Sequence, residues 1–183
     1  MNETKTKKCA GTVVLAAVSV ILTVVALLLV VVNLFSEYYD ELIYAHIATI
    51  VIALVTLFYT TVGYKIPHGN YIRYAFVIFA AVLALDLLLI YANMEKLPFA
   101  LLLVSIIVVS YMAGRLKHRT LVTVCSVIAL ILMLVPVVMA LAGSSAGLEG
   151  AISVNIAQCA IFVALVIGYF ARYTEHKEAG KAE

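Results

Sequence analysis

Six nearly uninterrupted apolar stretches alternate along this chain with short polar links, at residues 12–34, 42–63, 71–91, 98–114, 121–142 and 151–171. An α-helix needs about 17 to 25 apolar residues to cross the ~30 Å hydrocarbon layer of a bilayer. The pattern therefore predicts an all-α, polytopic membrane protein built as a bundle of six transmembrane helices. The links FSEYYDE, YKIPHGN, ANMEKL, RLKHRT and GSSAGLEG are too short to fold alone, so consecutive helices are expected to be antiparallel neighbours. A single transmembrane domain, 12–171, is flanked by polar tails at 1–11 and 172–183.

Two prolines refine this picture. Pro98 opens the fourth run, where a missing N–H does no harm in the first turn of a helix. Pro136 lies inside the fifth, where it leaves the Leu132 carbonyl without its usual donor and marks an expected hinge.

Composition agrees with the pattern. Hydrophobic residues make up 66% of the 183 and charged ones only 12%, against an apolar share of about 45 to 50% in soluble domains. Lys5, Lys7 and Lys8 ahead of the first run look like the start of a secretory signal. That run far exceeds the 7 to 15 or so residues of a signal core and no A-x-A site follows, so it is expected to be retained as a first helix. Cys9, Cys125 and Cys159 form neither a redox pair nor a zinc pattern.

Charge adds orientation. With the N-terminus in the cytoplasm, every Lys and Arg except Lys96 falls on the cytoplasmic side, including Lys65, Arg73, Arg115, Lys117, Arg119 and Arg172. This is a strong positive-inside bias, and it predicts that both the N- and C-termini are cytoplasmic. Tyrosines gather at both expected interfaces, as aromatic belts do. The expected location is the cell inner (cytoplasmic) membrane, and nothing in the charge pattern suggests nucleic-acid binding. Glycines near the ends of the even-numbered runs, Gly63, Gly114 and Gly168, precede basic residues and His68, His118 or His176. A thrice-repeated hairpin would leave this trace, but helix ends and cytoplasmic loops favour such residues independently.

The candidate chemistry is sparse. No HExxH, GxSxG or P-loop is present, no catalytic residues are expected, and the four histidines show no metal-site pattern, so neither a metal nor another cofactor is called for. Asp40 and Glu41 suit the start of the second helix better than a cation loop. Asp86 is the exception, as the only carboxylate within an apolar run. An acid at that depth costs about 2.5 to 3.5 kcal/mol on insertion scales and normally faces a partner or a wet cavity.

Matching depths across antiparallel helices places Asp86 level with about position 48 of the second run, between His46 and Thr49, and brings Ser105 close to that level. Asn33, Tyr91, Pro136 and Gln158 form a layer roughly one turn further out, with Asn155 beyond it.

Two readings follow. In one, Asp86 and His46 are a titratable pair in an outer-leaflet polar site lined by Asn33, Tyr91, Gln158 and Asn155. The protein is then a transporter, or a membrane component of a transport system, for a small solute or ion. In the other, Asp86 bonds Thr49 or Ser105 and fixes helix packing, and the protein is a non-catalytic structural or assembly subunit of a larger membrane complex. The expected partners are the lipid bilayer and other membrane subunits or further copies of the chain.

Overall fold

The computed structural model describes residues 2–34, 40–61, 71–90, 96–143 and 151–179, with the side chains at 2–11, 40–41 and 172–179 excepted. These residues form six α-helices: α1 (Asn2–Leu34), α2 (Asp40–Thr61), α3 (Tyr71–Leu89), α4 (Lys96–Gly114), α5 (Arg119–Leu141) and α6 (Ile152–Ala179). Each contains a segment long and apolar enough to cross a membrane. The architecture is all-helical and compatible with a multi-pass membrane protein.

Helix boundaries depart from the apolar runs in an instructive way. α1 begins at Asn2 and α6 continues to Ala179, so helix extends into both segments read as tails. Once an apolar span has nucleated a helix, adding Lys, Glu and Ala residues to its ends costs little. α5 remains helical through Pro136, which is itself buried against the bundle. Tyr91 lies outside the described residues.

α6 is the innermost helix. About 67% of its apolar window is buried, against 22% for α1, and it packs on α1, α2, α3 and α5. Its register follows from individual contacts. Ser19 meets Ala164, and Ala16 lies with Gly168 and Ala171, so α1 and α6 run antiparallel. Phe162 meets Phe76 and Phe79, while Gln158 meets Asp86, so α3 and α6 are antiparallel as well. On α2, His46 pairs with Ser153 and Thr49 with Gln158, at nearly constant offset, which makes α2 and α6 parallel.

Small residues allow these close approaches. A Cβ added at Gly168 would meet Thr60 Cγ2 at 3.3 Å and Tyr59 Cε1 at 3.5 Å. Buried Ala26, Ala45, Ala53, Ala157 and Ala164 repeat the theme. Helices in lipid gain nothing from hiding apolar groups from each other's solvent, so close backbone approach and interhelical hydrogen bonds supply the association energy. Three of the largest fully buried side chains, Phe76, Phe79 and Phe162, form a ring cluster between α3 and α6.

Polarity is distributed inside out. Leu88 and Val32 are 69% and 68% exposed, while His46, Thr49, Asp86, Ser105 and Gln158 are each 1% exposed or less. This is the arrangement that a hydrocarbon solvent selects. A hydrocarbon solvent accepts leucine and valine freely but leaves a carboxyl or amide unpaired, so the polar groups collect where other helices can pair with them.

Candidate polar centre

The centre is built on three helices. On α3, Asp86 carries its carboxyl into the contact with α6 and is 1% exposed. On α6, Gln158 Nε2 donates a hydrogen bond to Asp86 Oδ2. The same nitrogen donates to Thr49 Oγ1 on α2 at 2.9 Å. The Thr49 hydroxyl in turn donates to the Ala45 carbonyl one turn back, at 2.8 Å. Donation therefore diverges from a single carboxamide, to the acid on α3 and through the Thr49 hydroxyl to the backbone of α2. It uses both hydrogens of Nε2, which an amide nitrogen can supply and a hydroxyl cannot.

Asp86 is held by one oxygen only. Oδ1 is buried and has no hydrogen-bond partner, and no Lys, Arg or His makes an ion pair with Asp86 among the described residues. Such an oxygen is unusual in a native interior, where the large majority of buried polar atoms are paired.

His46 lies on the same helix as Thr49 and is fully buried. Its Nδ1 is 2.7 Å from the Leu42 carbonyl, which can only accept, so Nδ1 carries the hydrogen and Nε2 faces Ser153 Oγ at 3.4 Å. Both ring nitrogens are thus engaged away from Asp86, and no direct hydrogen bond or ion pair joins the two side chains expected to form a titratable pair. Depth matching placed them at one level, but the direction in which each helix face turned was decided by packing.

The remaining candidates separate. Ser105 is fully buried, yet its hydroxyl closes on the Leu101 carbonyl of its own helix at 2.9 Å. Asn33 is half-buried and donates to the Leu29 carbonyl at 2.7 Å. Asn155 is buried on α6, within one turn of Gln158. Among the described residues, no group of three or more His, Cys, Asp or Glu side chains is placed to hold a metal ion.

Two features escape the pattern of adjacent helices. Ser153, the neighbour of His46, belongs to a helix far away in sequence. Thr56 and Thr60 join Thr49 in a buried threonine row on α2, each hydroxyl bonded to a carbonyl of its own helix. The parallel register of α2 and α6 contained the signal: the offsets of 107 for His46–Ser153 and 109 for Thr49–Gln158 agree to within one turn. Comparison with protein-family models, curated proteins and solved structures finds no match to this chain.

Proposed function

We propose that the chain is a multi-pass protein of the inner (cytoplasmic) membrane, with both termini cytoplasmic, that moves or helps to move a small solute or ion, and that Asp86 is its proton-exchanging group. The observation carrying this reading is the one-sided attachment of the Asp86 carboxyl to Gln158, with Oδ1 unpartnered. A carboxamide is the neutral side chain that suits either protonation state. With Nε2 toward the acid, it donates to a carboxylate and to Thr49. Turned by half a rotation, it presents Oε1 at the same place, where two lone pairs accept from a protonated Asp86 and from the Thr49 hydroxyl. The proton can come and go with only a flip of the Gln158 carboxamide, while the helices stay where they are.

Intramembrane acids are rare and mark proton relays and ion pathways. Exchange with solvent requires α6 to part from α2 and α3, since Asp86 and Gln158 are each 1% exposed. Pro136 in α5, a helix packed on α6, supplies a place where backbone bonding is already interrupted.

A second reading, the structural or assembly subunit, is favoured by the same closed packing. In that role the Thr49–Gln158–Asp86 chain fastens three helices together, at about 0.6 kcal/mol per contact.

Purified protein reconstituted into liposomes with an internal pH dye separates the two readings. Under the transport reading, Asp86→Asn keeps the fold and its melting temperature but abolishes the pH-dependent flux or solute uptake, and Asp86→Leu does both kinds of damage. Under the structural reading, Asn is silent in every assay and Leu lowers thermal stability. Wild-type behaviour of Asp86→Asn at every pH removes the proton-exchange role.

A further inference from the structure

The connection between α4 and α5 holds a concentration of positive charge in a built setting. It turns tightly, with the Arg115 N–H bonded to the Met112 carbonyl at 2.9 Å and the His118 N–H to the Arg115 carbonyl at 3.1 Å. Two contacts pin it to α6. The Tyr169 hydroxyl donates to the Leu116 carbonyl at 2.6 Å, and the Arg119 guanidinium lies 5.6 Å from the centre of the Phe170 ring. Arg115 is held over Tyr111 in the same way, at 6.0 Å. Rings thereby position both guanidinium groups. No carboxylate pairs with Arg115, Lys117 or Arg119 among the described residues, no acidic residue stands in the first turn of α5, and His118 gives that helix no side-chain cap.

Beside this connection lies an open groove of about 750 Å³, walled by Lys117, His118, Arg119, Tyr111, Leu121 and Val124. One end is cationic and the other apolar. From the apolar end, exposed Ile128 and Ile131 continue along α5 from Val124, and exposed Ile107 and Val104 continue along α4 from Tyr111. Both stripes run from the basic rim along the spans toward the middle of the bundle.

We propose that this groove binds an anionic phospholipid, its phosphate held at Lys117, His118 and Arg119 and an acyl chain laid along Leu121 and Val124. Charge complementarity selects the headgroup, because each Lys or Arg near an anionic membrane surface adds roughly fivefold to binding. The apolar walls select a lipid over a soluble phosphate, which has nothing to place against them. The free N–H groups at the start of α5 add a favourable dipole for the phosphate. The assignment rests on the membrane placement proposed above and is independent of Asp86.

Native mass spectrometry of the full chain, reconstituted in bilayer discs of phosphatidylglycerol and phosphatidylcholine and released intact, tests it. The expected result is preferential retention of phosphatidylglycerol, about fivefold weaker in Lys117→Gln and unchanged in Lys96→Gln, whose charge lies at the opposite end of the bundle. Val124→Trp fills the apolar wall with the cations intact and is expected to weaken retention as well. Equal retention of the two lipids overturns the proposal, as does an equal loss in Lys96→Gln. Displacement of the lipid by millimolar inorganic phosphate overturns it in favour of a soluble anion. Failure of the chain to float with liposomes is a different result, which overturns the membrane placement itself.

Discussion

Gln158 on α6 and Asp86 on α3 share a hydrogen bond in which the carboxamide nitrogen donates to the carboxyl, and that nitrogen also reaches Thr49 on α2. One side chain thus fixes the relative positions of three helices. Replacing Gln158 by Leu strands the Asp86 carboxyl, because Oδ1 already lacks a partner. Leaving a buried acceptor unpaired costs about 1 to 3 kcal/mol, whereas removing both partners together is close to neutral. Unfolding in detergent is expected to show Gln158→Leu destabilised and Asp86→Leu/Gln158→Leu recovering most of the loss. A single mutant as stable as wild type would contradict the pairing.

Gly168 brings the backbone of α6 close to α2. Thr60 Cγ2 stands 3.3 Å from where a Cβ would sit, and the Thr60 hydroxyl is anchored to the Thr56 and Leu57 carbonyls at 2.9 and 3.1 Å, so the methyl has little freedom to turn away. Gly168→Ala gains up to about 1 kcal/mol of helix propensity against this crowding and is expected to be close to neutral. Gly168→Leu forces the helices apart and is expected to cost about 1 to 3 kcal/mol. Thermal melts of the two variants in one detergent provide the comparison, and an undisturbed Leu variant refutes the close contact.

Ser19 and Thr23 are buried neighbours on α1 with different targets. The Ser19 hydroxyl crosses to the Ala164 carbonyl of α6 at 2.7 Å, while the Thr23 hydroxyl returns to the Ser19 carbonyl of its own helix at 2.8 Å. Ser19→Ala is expected to lose about 0.6 kcal/mol, the usual worth of an interhelical bond in lipid. Thr23→Val, which keeps shape and breaks only a local bond, is expected to lose less. Chemical unfolding in mixed micelles orders them, and the reverse order would count against the α1–α6 register.

Orientation is accessible to labelling. In a variant freed of Cys9, Cys125 and Cys159, an impermeant thiol reagent applied to intact cells is expected to modify Ser145→Cys and to spare His118→Cys, in keeping with the one-sided Lys and Arg. Modification of the second and not the first means that the protein sits the other way round.

The six helices were legible because their cause is local. A run long enough to span hydrocarbon is a property of neighbouring residues, and each of the six runs contains the body of one helix, the larger end displacements arising where polar residues continue a turn already formed. Asp86 stood out for the same reason, as one carboxylate among apolar neighbours. The level of Thr49 beside it also followed from helix rise and short links. Its actual partner did not. Matching depth along adjacent helices assigns height, with an error of about one turn, and says nothing of the angle at which a side chain leaves the helix. A chain apolar on every face has no amphipathic stripe to reveal that angle, as exposed Leu88 beside buried Asp86 and Leu87 illustrates. Tertiary packing settled it, by drawing α6 into the bundle against α1, α2 and α3. Gln158 was thereby placed against Asp86, and His46 was turned to Ser153. Interhelical bonds and the close approach at Gly168 fix those rotations, and the bonds join residues 72 to 109 positions apart.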